Sequence, residues 1–190
     1  MEDEADEDLA LAADYRENGN ADAIDKLVAK YGKSLLAYLN ATTRNKSDAE
    51  EIFQDTWLKA MRRIDSFRGG SFKAWLTTIA RNCVIDRTRR KKPSMSLNQE
   101  VGEEGTQVID LMEDASAPKP DAGLVSEERG ARIREAVAAL PDAQREVFLL
   151  RTEQELSFAE IAAMLAIPLN TALGRMHYAV TRLRKELADL

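Results

Sequence analysis

The chain has 190 residues, 44% of them hydrophobic, and its 27 basic and 33 acidic residues give a formal net charge of −6. No apolar run approaches the ~20 residues that cross a bilayer, and the acidic N-terminus is unlike a signal peptide. We therefore expect a soluble, cytoplasmic protein without membrane insertion. One cysteine and one histidine exclude an internal disulfide and argue against a metal site, and no motif calls for a cofactor.

Charge is arranged in blocks along the chain. Residues 2–8 hold six acids and no base, residues 59–92 hold eleven bases and two acids, and residues 94–128 hold one base and nine acids. Because blocks of opposite sign indicate segments with different partners, the acidic total does not argue against a nucleic-acid partner. The hydrophobic content suits two domains of roughly 60–80 residues each.

Apolar residues recur at helical spacing in the N-terminal half of the chain. Three helices are predicted there, over residues 20–42, 48–64 and 72–92. A capping box beginning at Ser47 opens the second helix, and Pro93 ends the third. These helices, with a glycine-containing loop over 65–71, form one small domain, residues 20–93, behind an acidic N-terminal tail, residues 1–19.

Helical spacing resumes after an acidic linker, residues 94–126, which contains glycine and proline. Four helices are predicted in the C-terminal domain, residues 127–190, at 127–139, 142–154, 157–166 and 171–188. A capping box at Ser157 opens the third, and a turn over 167–170 leads into the fourth. This pair has helix-turn-helix proportions, although a plain helical hairpin gives the same pattern. The predicted fold is all-α, with two small helical domains joined by a flexible linker.

The end of the third predicted helix is strongly basic, with five cations among residues 87–92. A basic helix with aromatic residues nearby suits phosphates and unstacked bases. Cations near a helix C-terminus are also favoured by the helix dipole, which is the alternative interpretation. More cations stand here than the dipole uses, which favours nucleic acid.

The last predicted helix has two stripes. The inward stripe is apolar and consists of Met176, Val180, Leu183 and Leu187. The second stripe could read a major groove or be an ordinary solvated face, and it consists of Thr171, Arg175, Tyr178, Arg182 and Lys185. His177 lies beside this stripe, where a surface or phosphate-contacting role is expected rather than metal binding.

The second predicted helix carries an acidic face. Its residues are Asp48, Glu50, Glu51 and Asp55, with Gln54 among them. Three interpretations stay open: carboxylates favoured by the helix dipole, general acid or base groups, and a surface that docks on another protein. No nucleophile, P-loop or dinucleotide motif accompanies these residues, so the sequence does not support an enzyme.

Three parts of the sequence follow one another in a specific order. They read DAEEIFQDTWLKA at 48–60, FKAWLTTIARN at 72–82, and LPDAQREVF with LSFAEIA at 140–148 and 156–162. In that order they resemble the polymerase-docking helix, the promoter-melting segment and the C-terminal domain of bacterial sigma-70-family factors of the extracytoplasmic-function (ECF) type. The resemblance implies an alternative sigma factor, with 20–93 as sigma domain 2 and 127–190 as sigma domain 4.

The resemblance also implies partners and roles. The acidic helix is expected to dock on the β′ clamp helices of core RNA polymerase through Asp48, Glu51, Gln54 and Asp55. The −10 element is expected to be melted and held by Phe67, Arg68, Phe72, Lys73, Trp75, Arg81, Asn82, Arg87, Arg89 and Arg90. The −35 element is expected to be read by Thr171, Arg175, His177, Tyr178, Arg182 and Lys185. Promoter DNA, the β flap of polymerase and an anti-sigma factor complete the expected partners.

Two features depart from the family pattern. Leu173 and Gly174 stand where the family usually has Lys and Ser, so Leu173 either packs inward in place of Ala172 or touches a thymine methyl. The acidic tail is not required by the family and either shields the basic helix from DNA or solubilises the chain. Two rival functions stay open: a helix-turn-helix regulator that binds operators as a dimer without polymerase, and a helical adaptor protein.

Overall fold

The computed structural model describes residues 2–91 and 123–188, with side chains over 5–90 and 128–188. The secondary-structure elements in these ranges are all helices and none is a strand, which confirms the predicted all-α fold. None of these helices is both long and apolar enough to cross a membrane. The predicted linker lies outside the described residues except for its last four positions, which belong to a helix.

The described ranges contain eight α-helices. In chain order they are α1 (Glu2–Asn18), α2 (Ala21–Thr43), α3 (Lys46–Arg62), α4 (Phe72–Lys91), α5 (Gly123–Ala138), α6 (Asp142–Thr152), α7 (Phe158–Leu165) and α8 (Leu169–Glu186). A short 3-10 turn, Ile64–Ser66, follows α3. Helices α1 to α4 form the N-terminal half and α5 to α8 the C-terminal half. Helix α1 is the one that the apolar pattern did not predict.

Local capping chemistry sets several helix ends. The capping box at Ser157 is confirmed, because its hydroxyl accepts from the Glu160 amide at 3.3 Å and the Glu160 carboxylate accepts from the Ser157 amide at 2.8 Å. The box predicted at Ser47 is wrong. Asn45 caps α3 instead, accepting from the Asp48 amide at 3.0 Å, because the helix begins two residues earlier than that box requires.

The N-terminal segment is packed on α2 as helix α1, whereas charge alone predicted a free acidic tail. Ala12 is buried in the core, and the partly buried Leu9 packs against this core. Asp8 is 3% exposed and accepts hydrogen bonds from the Lys30 ammonium, at 2.8 Å, and from the Tyr31 hydroxyl. Counting charges missed this helix because one acid of the block is an internal hydrogen-bond acceptor.

The buried Asp8 changes the ionisation of both partners. Desolvation alone would lower the pKa of Lys30, but the hydrogen bond and negative charge of Asp8 raise it above its usual value. Burial and the same carboxylate raise the pKa of Tyr31, so its hydroxyl stays protonated and donates. The three groups therefore form one cluster that ties α1 to α2.

Asp8→Ala is expected to lower the free energy of unfolding by about 1–3 kcal/mol, because the buried Tyr31 hydroxyl loses its acceptor. Chemical denaturation of the full chain, followed by circular dichroism, measures the loss. Glu7→Ala is the matched control, because it removes the same charge from a carboxylate that is 66% exposed and 3.6 Å from Lys30. A loss below about 1 kcal/mol is expected for this control. Equal losses in both variants would mean that Asp8 acts through net charge alone.

The two halves of the protein contact each other through the loop between α6 and α7. Gln154 in this loop is 1% exposed; its amide donates to the Ser34 carbonyl at 2.8 Å and accepts from the Thr77 hydroxyl at 3.1 Å. The next residue, Glu155, has a φ of 53°, in the left-handed region that non-glycine residues rarely adopt. This loop conformation brings both side chains against the N-terminal half.

Two ion pairs accompany the Gln154 contact. The Lys73 ammonium lies 3.0 Å from the Glu155 carboxylate, and the Arg81 guanidinium lies 2.7 Å from the Glu146 carboxylate. The side chains of Lys73, Arg81 and Glu146 are only 26%, 26% and 31% exposed. The contact therefore combines buried hydrogen bonds with partly shielded charges, and it involves two cations that were predicted to bind DNA.

Candidate nucleic-acid interface

An aromatic cluster lies where the loop after the 3-10 turn meets α4. The Phe67 and Phe72 side chains are 2% and 1% exposed, and their ring centroids lie 5.1 Å apart at 85°. Tyr31 of α2 stacks on Phe72 with centroids 5.5 Å apart. Two residues that were predicted to contact DNA are therefore core residues in this structure, because burying both rings holds the loop against α2 and α4.

Two side chains beside this cluster reach the surface, one from the loop and one from α4. Trp75 is half-buried, with its indole nitrogen donating to the Ser66 hydroxyl at 3.3 Å, while Arg68 is exposed. Gly69 and Gly70 follow with φ values of 106° and 81°, which glycine adopts without strain. The turn that these glycines allow leads the chain into α4, with Arg68 exposed and Trp75 partly exposed.

The polar residues of α4 that were predicted to bind DNA fall into two groups. Lys73 and Arg81 are paired with the C-terminal half, and Arg87 is paired with α3. The second group is exposed and makes no hydrogen bond or ion pair to any residue that the structure describes; it consists of Asn82, Arg89 and Arg90. We call these three residues the open basic surface, of which Arg90 also lines a groove between α3 and α4.

Arg87 joins α4 to the acidic face of α3. Its guanidinium nitrogens lie 2.6 Å from the Glu51 carboxylate and 2.6 Å from the Asp48 carboxylate, and these hydrogen bonds raise the pKa of Arg87. Asp48 and Glu51, which were predicted to contact polymerase, therefore pair with Arg87, which was predicted to contact DNA. Gln54 and Asp55 are exposed. Neither here nor elsewhere in the described ranges do three His, Cys, Asp or Glu side chains gather as metal ligands would.

A groove of about 530 Å³ lies between α3 and α4, with Asp55 in its lining. Leu58 also lines it and is 47% exposed, a large apolar side chain that the sequence analysis did not select. The Lys59 ammonium lies 3.6 Å from the Asp86 carboxylate and links the two helices across the groove. A single exposed leucine is ordinary on a protein surface, so the groove is distinguished by the charged side chains of both helices that line it.

The structure decides between the two orientations that were open for Leu173. Ala172, Ala179 and Leu183 are buried, at helical spacing, and form the inward face of α8. Leu173 is 42% exposed and lies outside this face. It therefore does not replace Ala172 in the core.

The residues of α8 that were predicted to read DNA differ in exposure. Thr171 and Arg175 are half-buried. The exposed members of the set are His177, Tyr178, Arg182 and Lys185. The rings of His177 and Tyr178 touch edge to face, with centroids 5.8 Å apart. Most of the predicted set therefore lies on the accessible side of the helix.

Gly174→Ala is expected to raise the free energy of unfolding by about 0.5–1 kcal/mol, because alanine has the higher helix propensity. Space permits the change, since a Cβ at Gly174 would meet no atom within 4 Å. Thermal unfolding of the full chain measures the gain. Gly69→Ala, at a φ of 106°, is the contrasting variant and should lower stability. A Gly174→Ala protein less stable than the parent would contradict the helical geometry at this position.

Comparisons with known proteins match both halves of the chain. Family models for Sigma-70 region 2 and Sigma-70 region 4 match residues 27–93 and 130–186. The ECF RNA polymerase sigma factor SigW of Bacillus subtilis is 36% identical over 174 residues, which is 90% of this chain and 92% of that protein. The RNA polymerase sigma factor YlaC of the same organism is 30% identical over 87% of this chain and 92% of its own length. A solved structure of the Bartonella quintana sigma factor RpoE, in complex with the anti-sigma factor NepR, has a TM-score of 0.65 and 25% identity, covering 86% of this chain and 96% of that one.

Proposed function

Since this chain belongs to the sigma-70 family and is an alternative sigma factor of the ECF type, which directs transcription initiation, we propose that its two halves divide promoter recognition between them. Residues 20–93 act as domain 2, which docks on polymerase and opens the −10 element; residues 127–190 act as domain 4, which reads the −35 element. The observation that carries this proposal is the order of the two family matches on two helical halves. Family membership also sets aside an enzyme, an operator-binding dimer and an adaptor.

Docking on the β′ clamp helices is assigned to the accessible part of α3. Gln54 and Asp55 are exposed there, and Leu58 adds an apolar anchor one turn further along the helix. Glu51, which is 56% exposed, borders this surface, and its ion pair with Arg87 keeps α3 in register with α4. The docking surface therefore consists of the Gln54 amide, the Asp55 carboxylate and the Leu58 side chain, beside the groove.

Opening of the −10 element is assigned to the loop before α4 and to the open basic surface. Cations at the end of α4 suit the phosphate backbone, and Arg68 with the accessible side of Trp75 suits unstacked bases. Unstacking requires a few kcal/mol per base, which contacts of this kind offset. Lys73 and Arg81 join this surface when their pairs with the C-terminal half break.

Recognition of the −35 element is assigned to α8 as the second helix of the helix-turn-helix. The first turns of such a helix lie nearest to base edges, and later residues reach phosphates. Arg182 and Lys185 are exposed in the later turns, where they suit phosphates. The same half is proposed to contact the β flap of polymerase.

An anti-sigma factor is a further proposed partner, and the cytoplasm is the proposed location. Support for the partner comes from the Bartonella quintana relative, which was solved in complex with an anti-sigma factor. The location follows from the proposed work of the protein, because bacterial polymerase and promoter DNA are there.

Reconstituted transcription tests the proposed function. The full chain is added to bacterial core RNA polymerase with a library of genomic fragments, and run-off transcripts are mapped at their 5′ ends. We expect transcripts that depend on the chain and share two upstream elements. Asp55→Arg should abolish them, while Glu135→Arg, at an exposed acid of α5, should not. A competent core that yields no chain-dependent transcript would overturn the proposal.

A further inference from the structure

The first two turns of α8 present an uncharged surface. Among residues 169–176 the exposed side chains are Leu169, Asn170 and Leu173. Leu169 and Leu173 are 48% and 42% exposed and lie one turn apart, so they form one apolar patch with Asn170 beside it. We call these three residues the leucine patch. Neither leucine is needed by the core, which is completed by Ala172 at this level of the helix.

The leucine patch belongs to a helix whose charge suits nucleic acid. Helix α8 carries cations at Arg175, Arg182, Arg184 and Lys185, and its first acid is Glu186. Electrostatic attraction would therefore hold this helix on a polyanion, with the leucines in front and the exposed cations behind them. A protein partner for such a patch would need an acidic surface around an apolar centre, whereas DNA supplies both features in its major groove.

The major groove offers a specific partner for each side chain of the patch. The C5-methyl of thymine is the apolar group on the base edges, and an asparagine amide matches N6 and N7 of adenine. Guanine is read by arginine or lysine, and the one cation of these two turns, Arg175, is half-buried. The chemistry of the patch therefore fits A·T base pairs and lacks the cation that a guanine contact uses.

We propose that Leu173, with Leu169 and Asn170, makes recognition of the −35 element depend on thymine methyl groups. The inference rests on the proposed function, because it assumes that α8 lies in the major groove of that element. The helix surface next to Leu173 is open, since a Cβ at Gly174 would meet no atom within 4 Å. Leu173 is then a specificity-determining residue.

Replacing thymine by uracil tests the proposal, because it removes the methyl and keeps the hydrogen-bonding edge. Holoenzyme assembled from the full chain and core polymerase first selects −35 sequences from a randomised promoter library. Each dT of the selected element is then changed to dU, and run-off transcription is measured at limiting holoenzyme. We expect A·T-rich selection and about a fourfold loss for each contacted methyl, the value for burying one such group.

The Leu173→Ala holoenzyme should lose the uracil effect at the thymine that Leu173 faces and keep the effect at any thymine that Leu169 contacts. Ile133→Ala is the matched control: it truncates another exposed aliphatic residue, 45% exposed on α5, and should keep the full effect of uracil. Leu173→Lys is a second variant, expected to lose the uracil effect and to select guanine at the facing position. Circular dichroism verifies that each variant is folded.

Other outcomes overturn the inference in distinguishable ways. Promoter-dependent transcription that ignores every uracil would overturn the leucine contact and leave the proposed function standing. An unchanged uracil effect in Leu173→Ala would assign the methyl contact to another residue. Loss of polymerase binding in Leu173→Ala would make the patch a protein-docking surface. No chain-dependent transcript at all would overturn the proposed function and this inference with it.

Discussion

Phe72→Ala is expected to lower the free energy of unfolding by about 3–5 kcal/mol, the loss typical of a truncated buried phenylalanine. The ring is 1% exposed, and its centroid lies 5.1 to 5.5 Å from those of Phe67, Trp75 and Tyr31, so alanine would leave a cavity between α2, α4 and the loop. Such a loss is a large fraction of the 5–15 kcal/mol that holds a typical domain folded. Chemical denaturation of the full chain measures it.

Two further variants sharpen the Phe72 experiment. Tyr178→Ala removes an aromatic ring that is 52% exposed and should change stability by less than about 0.5 kcal/mol. Phe72→Leu keeps most of the apolar volume and should recover much of what Phe72→Ala loses. A Phe72→Ala protein as stable as the parent, yet unable to open promoters, would mean that the ring contacts bases and not the core.

We call the structure described above, in which the two halves are in contact, the closed arrangement. Gln154→Ala is expected to shift the protein towards an open arrangement, in which the halves are apart. The substitution removes both hydrogen bonds of the Gln154 amide, to Ser34 and to Thr77. Two such bonds contribute about 1–3 kcal/mol, which corresponds to a roughly 5–150-fold change in the ratio of closed to open molecules. Small-angle X-ray scattering should show a larger radius of gyration. Binding of the free protein to promoter DNA should also tighten, because Lys73 and Arg81 become accessible.

Matched variants separate the Gln154 contact from its neighbours. Glu146→Gln and Glu155→Gln together weaken both ion pairs, while leaving the buried amide in place, and should act in the same direction. Gln54→Ala removes an exposed glutamine of α3 that takes no part in this contact and should leave the radius of gyration unchanged. Should Gln154→Ala combined with both Glu substitutions remain as compact as the parent, these groups do not hold the halves together.

Much of the architecture could be predicted because helices depend on local sequence. Apolar spacing of three and four residues was enough to place α2 to α8. The capping box at Ser157 was predictable for the same reason, since its two partners are three residues apart. Two predictions of helix ends and helix positions were wrong for local reasons. Asn45, and not Ser47, caps α3, and the high acid content of α1 made its apolar residues, which pack on α2, difficult to recognise.

By itself the sequence determined the helices from α2 onwards, their order and, through three motifs, the family. Of the inward stripe predicted for α8, Leu183 is buried, whereas Met176, Val180 and Leu187 are only partly buried. Only the tertiary structure decided which predicted site residues are accessible. Arg87 pairs with residues 36 and 39 positions away, and Lys73 and Arg81 pair across 82 and 65 positions. Burial of Phe67 and Phe72 likewise depends on α2, which lies far back in the chain. Periodicity acts within a few residues, whereas a side chain's burial and its charged partner depend on which distant elements pack together, and these contacts decided which residues stay open to DNA and polymerase.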